Sequence, residues 1–177
     1  MPETPRLNGF SLGVCAALLS AAAVFAATVP RPLLDMPIPT PSGKPINLKQ
    51  YRGKVVLIAI ISMDCAPCVK SIEIFNRVQK DFGNKGFQVV AAVGDANAQY
   101  LLGPFMQRYR PEFPMGYLNT DEMVKLGGFS REDRPFAPIL IFVSRQGIVR
   151  QQVTGDQPFF KNEEPEIRAV IQKLLIS

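Results

Sequence analysis

Histidine is absent from the 177-residue chain, and so is tryptophan. Without histidine there is no Ser-His or Cys-His nucleophile pair and no imidazole-bound metal. Cysteine is scarce, at three residues. That is too few for a small fold built on a disulfide framework. An excess of one charge is also lacking: 20 Lys+Arg against 15 Asp+Glu leave +5. No run of Lys or Arg exceeds two residues, which argues against a nucleic-acid surface. No period repeats along the chain, so a solenoid is excluded. The length suits about one domain. Hydrophobic residues reach 47% and charged residues only 20%, which rules out a disordered polyelectrolyte.

What is present begins with an address. Residues 9–29 form a charge-free stretch of 21 residues, preceded by one basic side chain, Arg6. The stretch is long for the core of a secretory signal and just long enough to span a bilayer. Val24-Phe25-Ala26, followed by Ala27, offers small residues to a signal peptidase. A cleaved signal and a retained anchor both fit, and both carry the remainder across the membrane. Cys15 lies inside this stretch and reads as an inert apolar residue. The expected division is 1–29 as signal or anchor, 30–37 as a proline-rich spacer, and 38–177 as the folded domain.

The domain opens with a hairpin signal, Ser42-Gly43 between short apolar arms in 38–48. Val55–Ile61 is seven consecutive apolar residues. Such a run predicts a strand buried on both faces. Ala66–Phe82 places Val69, Ile72, Phe75, Val78 and Phe82 at helical spacing. Strands are predicted at Phe87–Val93, Phe113–Leu118, Ile139–Val143 and Ile148–Val153, the last two joined by a Ser144–Gly147 turn. Helices are predicted at Ala98–Arg110, Thr120–Leu126 and the C-terminus. Asp64, Thr120 and Asn162 are candidate helix caps. Early alternation and a late antiparallel pair predict an α/β domain with a mixed sheet between helices.

Beyond the apolar leader the cysteines are Cys65 and Cys68, in Cys65-Ala66-Pro67-Cys68. They sit where a buried strand passes into a helix. Positions i and i+3 of a helix face one way, with Cβ atoms ~5–6 Å apart, within reach of a disulfide. The helix start offers Cys65 unpaired N–H groups and the positive end of the dipole, both favouring thiolate. Pro67 in the first turn sacrifices little. The spacing supports Cys65 as nucleophile and Cys68 as resolving thiol. A zinc site would need a second pair or histidines, so no metal is expected. The redox-active disulfide stands in place of any cofactor. A plain structural disulfide would close a very short loop and stabilise little.

The stretch from Pro39 to about Gly155 resembles the extracytoplasmic thioredoxin-like family of the TlpA/ResA type. The matching pieces are Gly43, Leu48, Tyr51-Arg52-Gly53-Lys54-Val55-Val56-Leu57, the Cys65–Cys68 motif, Phe113-Pro114, Pro138 before Ile139–Val143, and Gly147. The resemblance implies a thioredoxin-like fold and a cis-proline beside the disulfide. Pro138 matches that position, with Pro135 as the alternative. It further implies substrate contacts from Ala66 and Pro67 and from the backbone of Ala137 beside Pro138. Two positions depart from the pattern. Asp64 replaces the usual aromatic residue, and as an adjacent negative charge it disfavours thiolate. Ala59 replaces a polar or acidic residue.

The function so implied is an extracytoplasmic thiol–disulfide oxidoreductase. It would reduce protein disulfides, in cytochrome or oxidase maturation among other settings, and draw electrons from a membrane donor. Two other classes compete. A Cu(I) carrier would use Cys65, Cys68 and Met63, but copper chaperones of this fold use a histidine. A peroxiredoxin-like peroxidase would use Ser62, three residues before Cys65, yet it would want proline where Ile58 stands. The charged loop Arg131-Glu132-Asp133-Arg134 reads as a solvated surface or a docking loop.

Overall fold

The computed structural model describes residues 28–177. The signal or anchor reading and Cys15 therefore lie outside the described residues, apart from positions 28 and 29. No helix among the described residues is long and apolar enough to cross a membrane.

The strands are β1 (Arg31–Pro32), β2 (Pro37–Ile38), β3 (Ile46–Asn47), β4 (Val55–Ile61), β5 (Phe87–Val93), β6 (Met115–Tyr117), β7 (Ile139–Val143) and β8 (Ile148–Val153). The helices are α1 (Ala66–Phe82), α2 (Ala98–Tyr109), α3 (Thr120–Gly127) and α4 (Glu163–Leu175). Six strands form one sheet in the order β1-β8-β7-β4-β5-β6. β4, β5 and β6 are parallel neighbours, whereas β7 runs antiparallel to β4 and β8 antiparallel to β7. β2 and β3 pair with each other, and the Tyr117 N–H donates to the Pro39 carbonyl at 2.9 Å, seating them against β6. Within 30–37, read from the sequence as a spacer, Arg31 and Pro32 pair with Val149 and Ile148 at the sheet edge.

Period-two geometry divides β4 between two cores. Val55, Leu57, Ala59 and Ile61 join Cys68, Ile72, Phe75 and Val78 of α1, Leu102 of α2, and Ile167 and Ile171 of α4. Val56, Ile58 and Ile60 join Ile38, Ile46, Leu118 and Leu126 on the other face. All seven residues of β4 are buried, as expected of a strand covered on both sides. The strand is thus fixed by packing along its whole length, and its last residue leads directly to the cysteine loop.

Local signals explain most helix ends, and three differ from expectation. Asn119, not Thr120, caps α3: its side chain accepts from the Glu122 N–H and Glu122 returns a bond to the Asn119 N–H. This capping box satisfies two end donors where Thr120 would satisfy one. Cys65, not Asp64, occupies the N-cap of α1. Asn162 stands at the N-cap position of α4 but makes no side-chain cap bond. The predicted strand 113–118 is shorter, because only Met115–Tyr117 keep register with Ala91–Val93. α2 contains Pro104, which removes one helical donor, and it ends at Arg110 in a left-handed conformation with φ 46°.

Candidate active site

β4 and β5 are parallel and in register, with Ile61 opposite Val93. Two residues further on, the same register brings Met63 beside Asp95. The Met63 N–H donates to Asp95 Oδ2 at 2.7 Å, so a carboxylate from the neighbouring strand end fixes the loop ahead of Cys65. Asp95 was not singled out from the sequence. An acid two residues past the second central strand signals its role only once the strand register is known. Ser62 Oγ accepts from the Asp64 N–H at 3.4 Å, which tightens the same turn. Asp64 itself is exposed.

Cys65 and Cys68 are joined by a disulfide, with Cα atoms 5.2 Å apart. The two sulfurs live in different surroundings. Cys68 is 0% exposed and belongs to the core beneath α1, whereas Cys65 is only partly buried. The Cys68 N–H donates to Cys65 Sγ at 3.2 Å. That N–H is one of the otherwise unpaired donors at the helix start. On a neutral sulfur this bond is weak; on a thiolate it becomes charge-assisted and roughly twice as strong. No acidic residue occupies the first turn of α1, so within that turn nothing opposes the dipole.

Ala66 and Pro67, between the cysteines, are exposed. The Ala137–Pro138 peptide is cis, so of the two prolines weighed, Pro138 is the one with that geometry. Its neighbour meets the disulfide: the Ala137 carbonyl oxygen lies 3.8 Å from Cys65 Sγ. In the dithiol the Cys65 S–H can donate to that oxygen. The structure therefore gathers all six predicted site residues, Cys65, Ala66, Pro67, Cys68, Ala137 and Pro138, at one end of β4 and β7.

Two further residues support this arrangement and left no mark in the sequence reading. The Gly155 N–H donates to the Phe136 carbonyl at 2.7 Å, and a Cβ at 155 would strike the Ala137 carbonyl. Only glycine lets β8's exit pass so close behind Ala137. Phe136 is 66% exposed, presenting an aromatic ring beside the backbone that faces Cys65. The charged loop next to it is largely self-bonded. The Ser130 N–H donates to Asp133 Oδ2 at 2.7 Å, Arg134 Nη1 donates to the Arg131 carbonyl at 2.7 Å, and Arg131 pairs with Asp121 at 3.2 Å.

Residues 29–152 match the model of the AhpC/TSA family. The thiol-disulfide oxidoreductase ResA of Bacillus thuringiensis subsp. konkukian is 26% identical over 122 residues, covering 69% of this chain and 67% of the relative. ResA of Bacillus subtilis is 29% identical over 114 residues, covering 64% and 60%. Among solved structures, a Chlorobium tepidum chain described as a thiol:disulfide interchange protein DsbE superposes with TM-score 0.66 at 26% identity, covering 80% of this chain and 96% of that one. A second Chlorobium tepidum thiol:disulfide interchange protein gives TM-score 0.69 at 19% identity, covering 84% and 98%.

Proposed function

The chain belongs to the AhpC/TSA family, and from that premise we propose that it is a thiol–disulfide oxidoreductase of the ResA/DsbE type acting on protein disulfides. The observation that carries this reading is the asymmetry of the pair. Cys65 is reachable and accepts a helix-start N–H, while Cys68 is fully buried behind it.

The chemistry follows from that asymmetry. In the reduced state Cys65 loses its proton and its thiolate attacks one sulfur of a substrate disulfide. The substrate S–S bond breaks, a Cys65–substrate bond forms, and the departing sulfur takes up a proton. Cys68 then deprotonates and attacks Cys65 Sγ, which closes the Cys65–Cys68 bond and releases the second substrate thiol. Two electrons pass from the pair to the substrate. A bulky polypeptide can meet Cys65 but not Cys68, so attack and resolution stay in that order. Ala66, Pro67, Ala137 and Pro138 line the approach, and Phe136 offers the incoming chain an apolar ring.

The cellular role we propose is reduction on the outer side of the cytoplasmic membrane. The charge-free segment 9–29 supports that location. A membrane donor would restore the dithiol, and apocytochrome-like or oxidase-assembly cysteines would be its substrates.

Cys65→Ser is expected to abolish disulfide exchange, and Cys68→Ser to accumulate mixed disulfides visible on non-reducing gels. Full activity in both variants would overturn the mechanism. The direction is tested by equilibrating the pair against a thiol buffer series. A reduction potential near that of thioredoxin, about −270 mV, is expected, and one near that of DsbA, about −120 mV, would make the protein an oxidant instead.

A further inference from the structure

Ser71 lies on α1 one turn beyond Cys68 and is 0% exposed. Its Oγ is 3.0 Å from the Pro67 carbonyl oxygen and 2.6 Å from Oε1 of Glu163, the first residue of α4. A serine hydroxyl carries one proton, so Ser71 cannot donate to both oxygens. Both contacts are hydrogen bonds only when the Glu163 carboxyl carries a proton of its own. Glu163 then donates to Ser71 Oγ, and Ser71 donates to Pro67. Burial pushes the Glu163 pKa above its ordinary value, which favours keeping that proton. Lys70 acts the other way, as would the Ser71 hydroxyl when it donates to the ionised carboxylate, and Glu164 acts with burial.

The Pro67 carbonyl shares its peptide group with the Cys68 N–H, and that N–H donates to Cys65 Sγ at 3.2 Å. A hydrogen bond received at the oxygen of a peptide polarises the group and strengthens donation from its nitrogen. The contacts thus form one continuous chain running from the Glu163 carboxyl, through Ser71 and one peptide group, to the nucleophilic sulfur.

On the reading that Cys65 is the nucleophile, we infer that Ser71 and Glu163 are positioning residues for its thiolate, and that the thiolate is better stabilised while Glu163 is neutral than after it ionises. Once ionised, the Glu163 carboxylate draws the Ser71 proton to itself. Pro67 loses that donor, and the Cys68 N–H becomes a weaker partner for the sulfur.

Other charges face both ends of the chain. Around Glu163 stand Lys70, Glu73 and Arg77 of α1, Lys161 of the preceding turn, and Glu164. Near Cys65 are Asp64 and Asp95, the latter through the Met63 N–H. All are common to the variants compared below, so differences at one pH report the chain of bonds itself.

The test is a pH titration of the ultraviolet thiolate absorbance of the full chain, in a Cys15→Ala, Cys68→Ala background where Cys65 is the single thiol. This parent is expected to titrate in two steps, one from Cys65 and one transmitted from Glu163. Glu163→Gln keeps an N–H for Ser71 and should abolish the second step alone. Ser71→Ala should lose the second step too, and lower the thiolate fraction below the midpoint about two- to fourfold. A Ser71→Ala curve identical to the parent would overturn the inference. So would a Glu163-dependent step persisting in Ser71→Ala, since a through-space charge effect does not need the hydroxyl. The titration uses no substrate, so failure of the exchange reaction would sink the proposed function and still leave this result readable.

Discussion

A single hydrogen bond from an adjacent strand holds the loop that presents Cys65. Replacing Asp95 with Ala strips the Met63 N–H of its acceptor. Loss of a bond to a charged partner at a half-buried site is expected to destabilise by about 1–2 kcal/mol, measurable by urea unfolding, and to slow disulfide exchange because the cysteine loop loosens. Asp95→Asn keeps an acceptor oxygen and should retain most of both. At this scale the sequence is informative about chemistry and silent about support. Cys65 and Cys68 announce themselves by type and spacing, and Pro138 through the family resemblance. Asp95, Ser71, Glu163 and Gly155 do not. Each acts on a residue far away in the chain, and nothing in its immediate neighbours marks the partner. Asp64 shows the converse error. Its type suits a cap, but the sulfur one position later takes that place.

The start of α4 carries two adjacent carboxyls whose environments pull in opposite directions. Glu164 receives paired bonds from Arg77, at 3.1 and 2.7 Å, and from Arg168, at 3.0 and 2.8 Å. Those bonds, Arg77 first, hold its pKa below the ordinary value of 4.5. A depressed carboxyl contributes stability above the unfolded-state pKa and loses it as pH falls through the folded value. Glu164→Gln should therefore weaken the fold at neutral pH, by about 1 kcal/mol for a partly exposed ion pair that solvent screens, and the difference should vanish in acid. Glu163, raised by burial, has the reverse sign. Its folded pKa lies above the unfolded one, so stability falls as pH rises between them, and Glu163→Gln should gain on the parent at neutral pH. Denaturant midpoints across an acid-to-neutral series check both. Much of the element order was legible: β4, β5 and β7 follow from apolar runs, and α1, α2 and α4 from helical spacing, because each buries one stripe or both faces. Their ends were less so, since the α3 cap depends on a reciprocal bond between Asn119 and Glu122 that a single residue type does not reveal.

In the molecule as a whole, the two-residue strand β1 joins the sheet from its edge, and Arg31 secures it. Arg31 Nη2 lies 3.1 Å and 2.9 Å from the carbonyls of Leu126 and Gly127 at the end of α3, and 2.8 Å from Gln152 Oε1 on β8. Arg31→Ala should cost about 2 kcal/mol through the lost bonds to Leu126, Gly127 and Gln152, although the Gly127 carbonyl keeps its bond from Gln152 Nε2 at 2.9 Å; thermal or urea unfolding reads the loss. Lysine keeps the charge on a shorter side chain, and should rescue only part. The mixed sheet and its two covered faces were expected from the order of elements. The attachment of β1 was not, because two residues rich in proline context carry no strand signal and the clamp joins positions 31, 126, 127 and 152. The sheet order gives this edge a mechanical meaning. Tension applied through the residues before Arg31 is borne first by β1 and its guanidinium anchor. From β1 the chain runs to β4 through β2 and β3, which pair with each other and rest against β6. A pull on the leading end would therefore meet the edge strand and its arginine clamp before it reached, through β2 and β3, the strand that aims Cys65.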